Sequence, residues 1–253
     1  AAIWTIKRFA AAVCAGAIVL AAPLAEAADC RDGTHKGAVY TGCTVDLTRE
    51  DLRLFLYDAA GVPLGQFARV DQLLAPQGLR LGMAMNAGMY HEDRSPVGHY
   101  VENGAEAMRV ITGGGGGNFG LLPNGVFCIR QGRADVIETK AFLSAKPACR
   151  HASQSGPMLV IGGKLHPRFI DGGDSRFIRN GVGTTADGKT AVFAISHGPV
   201  NFHDFGTLYR DLLRLPNALY FDGNISRLYR HAEGGFNLGR PLGPIVGTVE
   251  PLE

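Results

Sequence analysis

What most constrains this chain is how soon its apolar runs stop. Val39–Val45, Leu52–Asp58, Leu81–Asn86, His99–Glu102 and Gly125–Ile129 are each four to seven residues long. So are Ala134–Ile137, Met158–Ile161, Thr190–Ile195 and Ala218–Phe221. Many are closed by Gly, Pro, Asn or Asp, the residues that punctuate turns. Runs of this length suit strands, whereas amphipathic helices need about 10 residues or more. Glycine reinforces the reading: 35 of 253 residues, roughly twice ordinary usage. That glycine serves tight turns and close backbone approach, not a helix bundle. Helical periodicity is sparse, with short stretches at Asp71–Ala75 and Thr139–Leu143. The best case is Asn201–Leu215, where Phe202, Phe205, Leu208, Leu212 and Leu215 recur at steps of 3 and 4, Asn201 stands at the cap and Pro216 follows. The expectation is an α+β fold, a strand-rich mixed sheet with a few helices. No charge run, linker or repeat divides the chain, so a single domain is expected over residues 28–253.

Residues 1–27 have the pattern of a secretory signal peptide. Lys7 and Arg8 precede an apolar stretch from Phe9 to Ala22, and Ala25-Glu26-Ala27 gives a small-x-small cleavage signature. The apolar stretch is short of the roughly 20 residues that span a bilayer. Asp29 before Cys30 does not fit a lipobox. These features predict a mature protein beginning near Ala28, periplasmic or secreted, with no stable membrane span after cleavage. Four cysteines then remain, Cys30, Cys43, Cys128 and Cys149, an even number that suggests two disulfides in an exported chain. Three connectivities are open. None of the four lies in a C-x-x-C pair and no histidine has ligand spacing, so neither a metal nor another cofactor is expected. With 25 basic against 23 acidic residues the net charge is +2, too small a field to gather nucleic acid.

Five segments join glycine to polar residues where strands should end: 85–98, 113–125, 153–160, 175–183 and 220–229. Such ends let backbone N–H groups and short polar side chains converge on a ligand. Asn86, Asn118, Gln154, Ser155, Asn180 and Asn224 offer hydrogen bonds suited to sugar hydroxyls, and Arg179 a planar fork for phosphate or carboxylate. Asp222 follows the apolar run Ala218–Phe221, where a carboxylate meets a perturbed environment. Glu92, or its neighbour Asp93, is the candidate for a second carboxylate. Gly113–Gly117 lacks the Lys-Ser/Thr of a P-loop and is expected to be a mobile loop or lid. Ser155 is outside any G-x-S-x-G context, against a hydrolase elbow.

Together, Asn86-Ala87-Gly88-Met89-Tyr90, Asn118-Phe119-Gly120, Gln154-Ser155-Gly156-Pro157, Arg179-Asn180-Gly181-Val182-Gly183 and Phe221-Asp222-Gly223-Asn224 resemble, in order, the phosphodiester glycosidase family. That family is typified by the lysosomal uncovering enzyme, N-acetylglucosamine-1-phosphodiester α-N-acetylglucosaminidase, and the similarity is greatest to its exported bacterial branch. The resemblance spans about 81–249. It implies a hydrolase that cleaves a sugar-1-phosphodiester at the anomeric side, acting on a sugar-phosphate or envelope glycan. It also implies Asn86, Gln154, Arg179 and Asp222 as shared site positions. The chain departs at 222–226, reading Asp222-Gly223-Asn224-Ile225-Ser226 where the uncovering enzyme has a D-G-G-G-S-S-like run. The alternatives are a non-catalytic glycan-binding or envelope accessory domain on the same fold, and a hydrolase of ordinary glycosidic bonds indifferent to Arg179.

Overall fold

The computed structural model describes residues 28–222, 224–234 and 238–252. The leader-like segment 1–27 lies outside the described residues. The strand-rich reading holds, with the strands distributed over three sheets whose pairings are antiparallel. The first sheet opens with a hairpin, Asp29–His35 against Ala38–Asp46, and continues through Thr190–Ser196, Asn180–Thr184, Asn217–Asp222, Met158–Ile161 and Lys164–Leu165. The second runs Leu228–Arg230, Leu79–Asn86, Ile245–Pro251, Asp51–Phe55. The third runs Ala105–Met108, Tyr100–Glu102, His151–Ser155, Gly125–Arg130, Arg133–Glu138.

One core joins all three sheets. Leu54, Met83 and Met85 of the second meet Phe127 and Ile129 of the third and Phe193, Leu219 and Phe221 of the first. Phe127 lies edge-on to Phe193 at 5.8 Å and to Phe221 at 6.2 Å, a favoured geometry for aromatic pairs. The strand Asn217–Asp222 is buried on both faces: Leu219 and Phe221 enter this core, Ala218 and Tyr220 a second one. The pairing with the next strand shifts register between Tyr220 and Asp222, at the strand's end. Its neighbour Asn180–Thr184 is glycine-rich because space demands it. A Cβ at Gly181 would stand 2.5 Å from the Leu219 carbonyl oxygen, and one at Gly183 would meet Leu215 and Tyr209 at 2.7 and 2.8 Å.

Helix Phe67–Leu74 lays Phe67, Val70 and Leu74 on the second sheet. Helix Thr139–Ala145 is capped by the Glu138 carboxylate, which accepts from the Lys140 and Ala141 amides. The third differs from expectation. Asn201 caps it, its side chain accepting from the Asp204 amide at 2.7 Å, but the α-helix ends at Thr207 and Leu208–Leu212 wind as a wider π turn. The wider turn brings the consecutive residues Leu208 and Tyr209 both into the core and leaves Leu212 53% exposed. Among the described residues no helix is long and apolar enough to cross a membrane.

The cysteines pair locally, Cys30–Cys43 and Cys128–Cys149, over separations of 13 and 21 residues. Opening Cys128–Cys149 in a double alanine variant is expected to cost about 3 kcal/mol by loop entropy alone, read as a lower denaturant midpoint. Equal midpoints would show that the bridge does not stabilise the fold.

A second stability effect follows from a cleft of ≈ 830 Å³ lined by both the first hairpin and the second sheet. Glu50 lies there; burial, then repulsion from Asp46 and Glu250, pushes its carboxyl up to about 7, against the Asp46 amide that donates to it. A raised carboxyl stabilises the fold in its protonated form. That stability is complete below the ordinary value of 4.5 and is lost as pH rises through about 7. Glu50→Gln should therefore raise the thermal midpoint at about pH 8 and leave it unchanged at about pH 4. A gain of equal size at both would refute this.

Candidate active site

Asp222 is half-buried at the end of its strand, and its neighbours fix it. Its amide donates to Asn180 Oδ1 at 3.2 Å, its carbonyl accepts from Ser226 Oγ at 2.9 Å, and its carboxylate Oδ1 accepts from the Asn224 amide at 2.8 Å. Ser155 works one residue earlier, its hydroxyl donating to the Phe221 carbonyl at 2.9 Å.

The position of Asp222 depends on a pair of asparagines. Asn86 ends a strand of the second sheet and Asn180 begins one of the first. Asn86 Nδ2 donates to Asn180 Oδ1 at 3.0 Å, and Asn180 Nδ2 donates to the Asn86 carbonyl at 2.9 Å. Asn86 Oδ1 accepts from the Arg227 amide at 2.9 Å. Both residues are fully buried. Direct sugar contact was the expectation for them. Here their carboxamides are engaged with protein, and they lock the sheet ends that carry Asp222 and Arg227.

Gln154 is likewise engaged. Its Oε1 accepts from the His99 and Ile111 amides, and its Nε2 donates to the Ile111 carbonyl and to Thr139 Oγ1. It anchors the segment leading into Gly113–Gly117, which is exposed. Gly88 is required beside it, since a Cβ there would stand 2.5 Å from the Gln154 carbonyl oxygen.

Arg179 lies beneath the surface rather than open to solvent. Its guanidinium stacks on Phe202 at 3.6 Å; Nε donates to the Val200 carbonyl at 2.9 Å and one Nη to the Ser175 carbonyl at 2.8 Å. The other Nη and the buried Tyr220 hydroxyl lack hydrogen-bond partners among the described residues. The two groups lie close to one another, and Asn118 approaches the same hydroxyl. Burial lowers the Arg179 pKa and Tyr220 partly offsets it. The fork is therefore largely occupied, leaving one buried cationic N–H group beside a phenol.

Tyr90 is influenced both by Asp222 and by two loop arginines, Arg94 and Arg240. Burial and the Asp222 carboxylate raise the Tyr90 pKa, while Arg94 and Arg240 oppose them. Arg94 lies 5.5 Å from the Tyr90 ring, at a left-handed φ of 74° in the turn His91–Ser95. Within that turn Asp93 is occupied, accepting from the Ser95 amide at 2.9 Å and its hydroxyl at 2.6 Å. Glu92 is exposed, as is Asn224. The residues that sequence reasoning did not single out are Tyr220, Arg94, Arg227 and Arg240. Tyr220 carried a signal, being two residues before Asp222 on one strand, where regular alternation would give both the same face. The arginines are brought in by loops and carried none.

Among the described residues one cluster has potential metal ligands, Asp171, His203 and Asp204. Lys36 supplies its counter-charge, 3.4 Å from Asp204 and 4.0 Å from Asp171.

The chain is similar to known proteins in sequence and in fold. A sequence model described as phosphodiester glycosidase matches residues 80–244, which include Asn86, Gln154, Arg179 and Asp222. The uncharacterized protein YigE of Escherichia coli (strain K12) is 36% identical over 186 residues, covering 74% of this chain and 72% of its own. Among solved structures, the zebrafish N-acetylglucosamine-1-phosphodiester alpha-N-acetylglucosaminidase catalytic domain, auto-inhibited by its pro-peptide, superimposes with a TM-score of 0.57 at 13% identity, over 87% of this chain and 81% of that one. A hypothetical protein from Synechocystis gives 0.55 at 13% identity over 87% of this chain, which spans 61% of that protein's length. At such identities the two structures share the fold alone. The match over residues 80–244 and the 36% identity carry the assignment: this chain belongs to the phosphodiester glycosidase family.

Proposed function

We propose that this protein is an exported hydrolase that cleaves a sugar-1-phosphodiester, releasing the free sugar and a phosphomonoester. One arrangement carries the reading: Asp222, a carboxylate held by its neighbours, ends the strand whose Tyr220 ring lies over the buried Arg179, and the Tyr90 phenol feels both that carboxylate and the cations Arg94 and Arg240. An anionic substrate suits the cations, and a carboxylate suits the positive charge that develops at an anomeric carbon. In the proposed step the oxygen of water bonds to the anomeric carbon. The C–O bond to phosphate breaks with its electron pair left on the phosphate, and the proton of water passes to Asp222 or to solvent. A phosphate leaving group needs little protonation, so one carboxylate suffices and Glu92 is given no step. Arg94 and Arg240 steady the phosphate, Asn224 and Asn118 approach the substrate, and the Arg179–Tyr220 pair sets the charge of the floor. The two disulfides and the leader-like segment support export.

The test is a release assay on the disulfide-intact protein with UDP-N-acetylglucosamine and simpler sugar-1-phosphodiesters. Free sugar that appears with the wild type and vanishes with Asp222→Asn is the expected result. Binding of sugar phosphates without any turnover would overturn it in favour of an accessory glycan-binding domain.

A further inference from the structure

Beside Asp222 runs a cleft of ≈ 420 Å³ whose apolar side this reaction leaves unused. Ile178, Ile225 and Leu238 form its apolar wall and Arg227 and Arg240 its cationic one, with Asn224 at the end next to Asp222. Among the described residues no acidic side chain lines it. Ser226 lines it too, and its hydroxyl donates to the Asp222 carbonyl, so the cleft borders the strand end that carries Asp222. Two residues of the apolar wall are open, Leu238 at 77% exposed and Ile178 at 41%, while Ile225 is buried with the core of the second sheet. The cationic wall is partly braced, since Arg227 donates to Gln66 Oε1 and to the Arg240 carbonyl, both at 2.9 Å, and lies 5.0 Å from the Phe67 ring. A hydrocarbon wall facing two guanidinium-bearing residues matches a ligand with a phosphate at one end and an apolar chain directly attached.

We infer that this cleft receives the leaving group, and that the substrate class is a sugar-1-phosphodiester borne on a long hydrocarbon chain. The inference rests on the phosphodiester glycosidase reading. The phosphate faces Arg240, and the chain lies along Ile178, Ile225 and Leu238. Hydrolysis adds the oxygen of water to the anomeric carbon, and the bridging oxygen and its electron pair stay with the alkyl phosphate. The products are the free sugar and the alkyl phosphomonoester.

The experiment compares release of N-acetylglucosamine from its methyl and decyl 1-phosphodiesters, both below the micellar concentration. A kcat/KM ratio of about 10-fold or more in favour of decyl is expected, because each buried methylene adds to binding. Leu238→Ser and Ile178→Ser should each shrink that ratio, and the double variant should bring it near unity. The exposure of both side chains predicts thermal midpoints close to the wild type. Equal rates on the two diesters, or a preference that survives in the double variant, would overturn the inference. Calorimetric binding of decyl phosphate against methyl phosphate separates the two failures. Selective decyl phosphate binding by a protein that hydrolyses neither diester would support the cleft and sink the glycosidase reading. Turnover of the methyl diester with no selectivity in rate or binding would do the reverse.

Discussion

Asp222→Asn should lower the rate of sugar release by about 10²-fold or more while the protein remains folded. The substitution keeps the shape of the side chain. Asparagine Oδ1 can still accept from the Asn224 amide, and the bonds to Asn180 and Ser226 are made by the Asp222 backbone. Only the negative charge is removed, so the loss should fall on kcat, where charge develops, more than on KM. A second readout comes from Tyr90. Its phenol is held up in part by the Asp222 carboxylate and held down by Arg94 and Arg240. Neutralising position 222 should lower the Tyr90 pKa, followed by ultraviolet absorbance during an alkaline titration against a Tyr90→Phe control. An undiminished release rate in Asp222→Asn would take the carboxylate out of the mechanism.

The largest structural penalty is expected at Asn180. Its Oδ1 takes the Asn86 carboxamide, the Asp222 amide and, at 3.3 Å, the Ser226 hydroxyl; its Nδ2 serves the Asn86 carbonyl. Asn180→Ala leaves several of these groups buried and without that partner, at about 1–3 kcal/mol for each group left unsatisfied. A total loss of about 3 kcal/mol or more is expected, seen as a lower denaturant midpoint. Activity should fall even in the folded fraction, because the same residue holds Asp222. Asn180→Asp separates the two effects. It keeps the acceptor but loses the donor to Asn86, and it places a second carboxylate against Asp222. It should therefore harm activity more than its stability loss alone explains. A stable, fully active Asn180→Ala would show that the strand ends hold their register without this residue.

Much of this architecture was legible in the residues, for a physical reason. The runs Ala218–Phe221, Gly125–Ile129 and Thr190–Ile195 are apolar and bounded by turn formers, and each lies in an interior strand of its sheet. Asn180–Thr184 and His151–Ser155 are equally buried strands but read as polar or glycine-rich. Their sequences record close neighbours and hydrogen-bond partners rather than hydrophobic alternation, so periodicity could not find them. The π turn after Thr207 was hidden for the opposite reason, since steps of 3 and 4 fit an α-helix as well. At the site, the type of residue was readable and its direction was not. Asn86, Gln154 and Asn180 have the donors and acceptors expected of sugar ligands, and the tertiary fold turns them onto backbone groups far away in sequence. Arg179 is the sharpest instance, a planar fork drawn below the surface by Phe202 and two carbonyls.

The pairing of the cysteines bears on how such a chain is made. Both bridges join neighbours in the order of synthesis, first with second and third with fourth, over 13 and 21 residues. Each pair of thiols therefore emerges almost together from any narrow exit, and oxidation in order of appearance yields the native bonds. The opening hairpin shows what this achieves. Strand Ala38–Asp46 waits for Thr190–Ser196, its partner across the sheet, which appears some 150 residues later. Until then Cys30–Cys43 holds the two-stranded unit, too small to persist unaided in water, in register. A chain assembled in this way has little need of an enzyme that rearranges wrongly joined sulfurs.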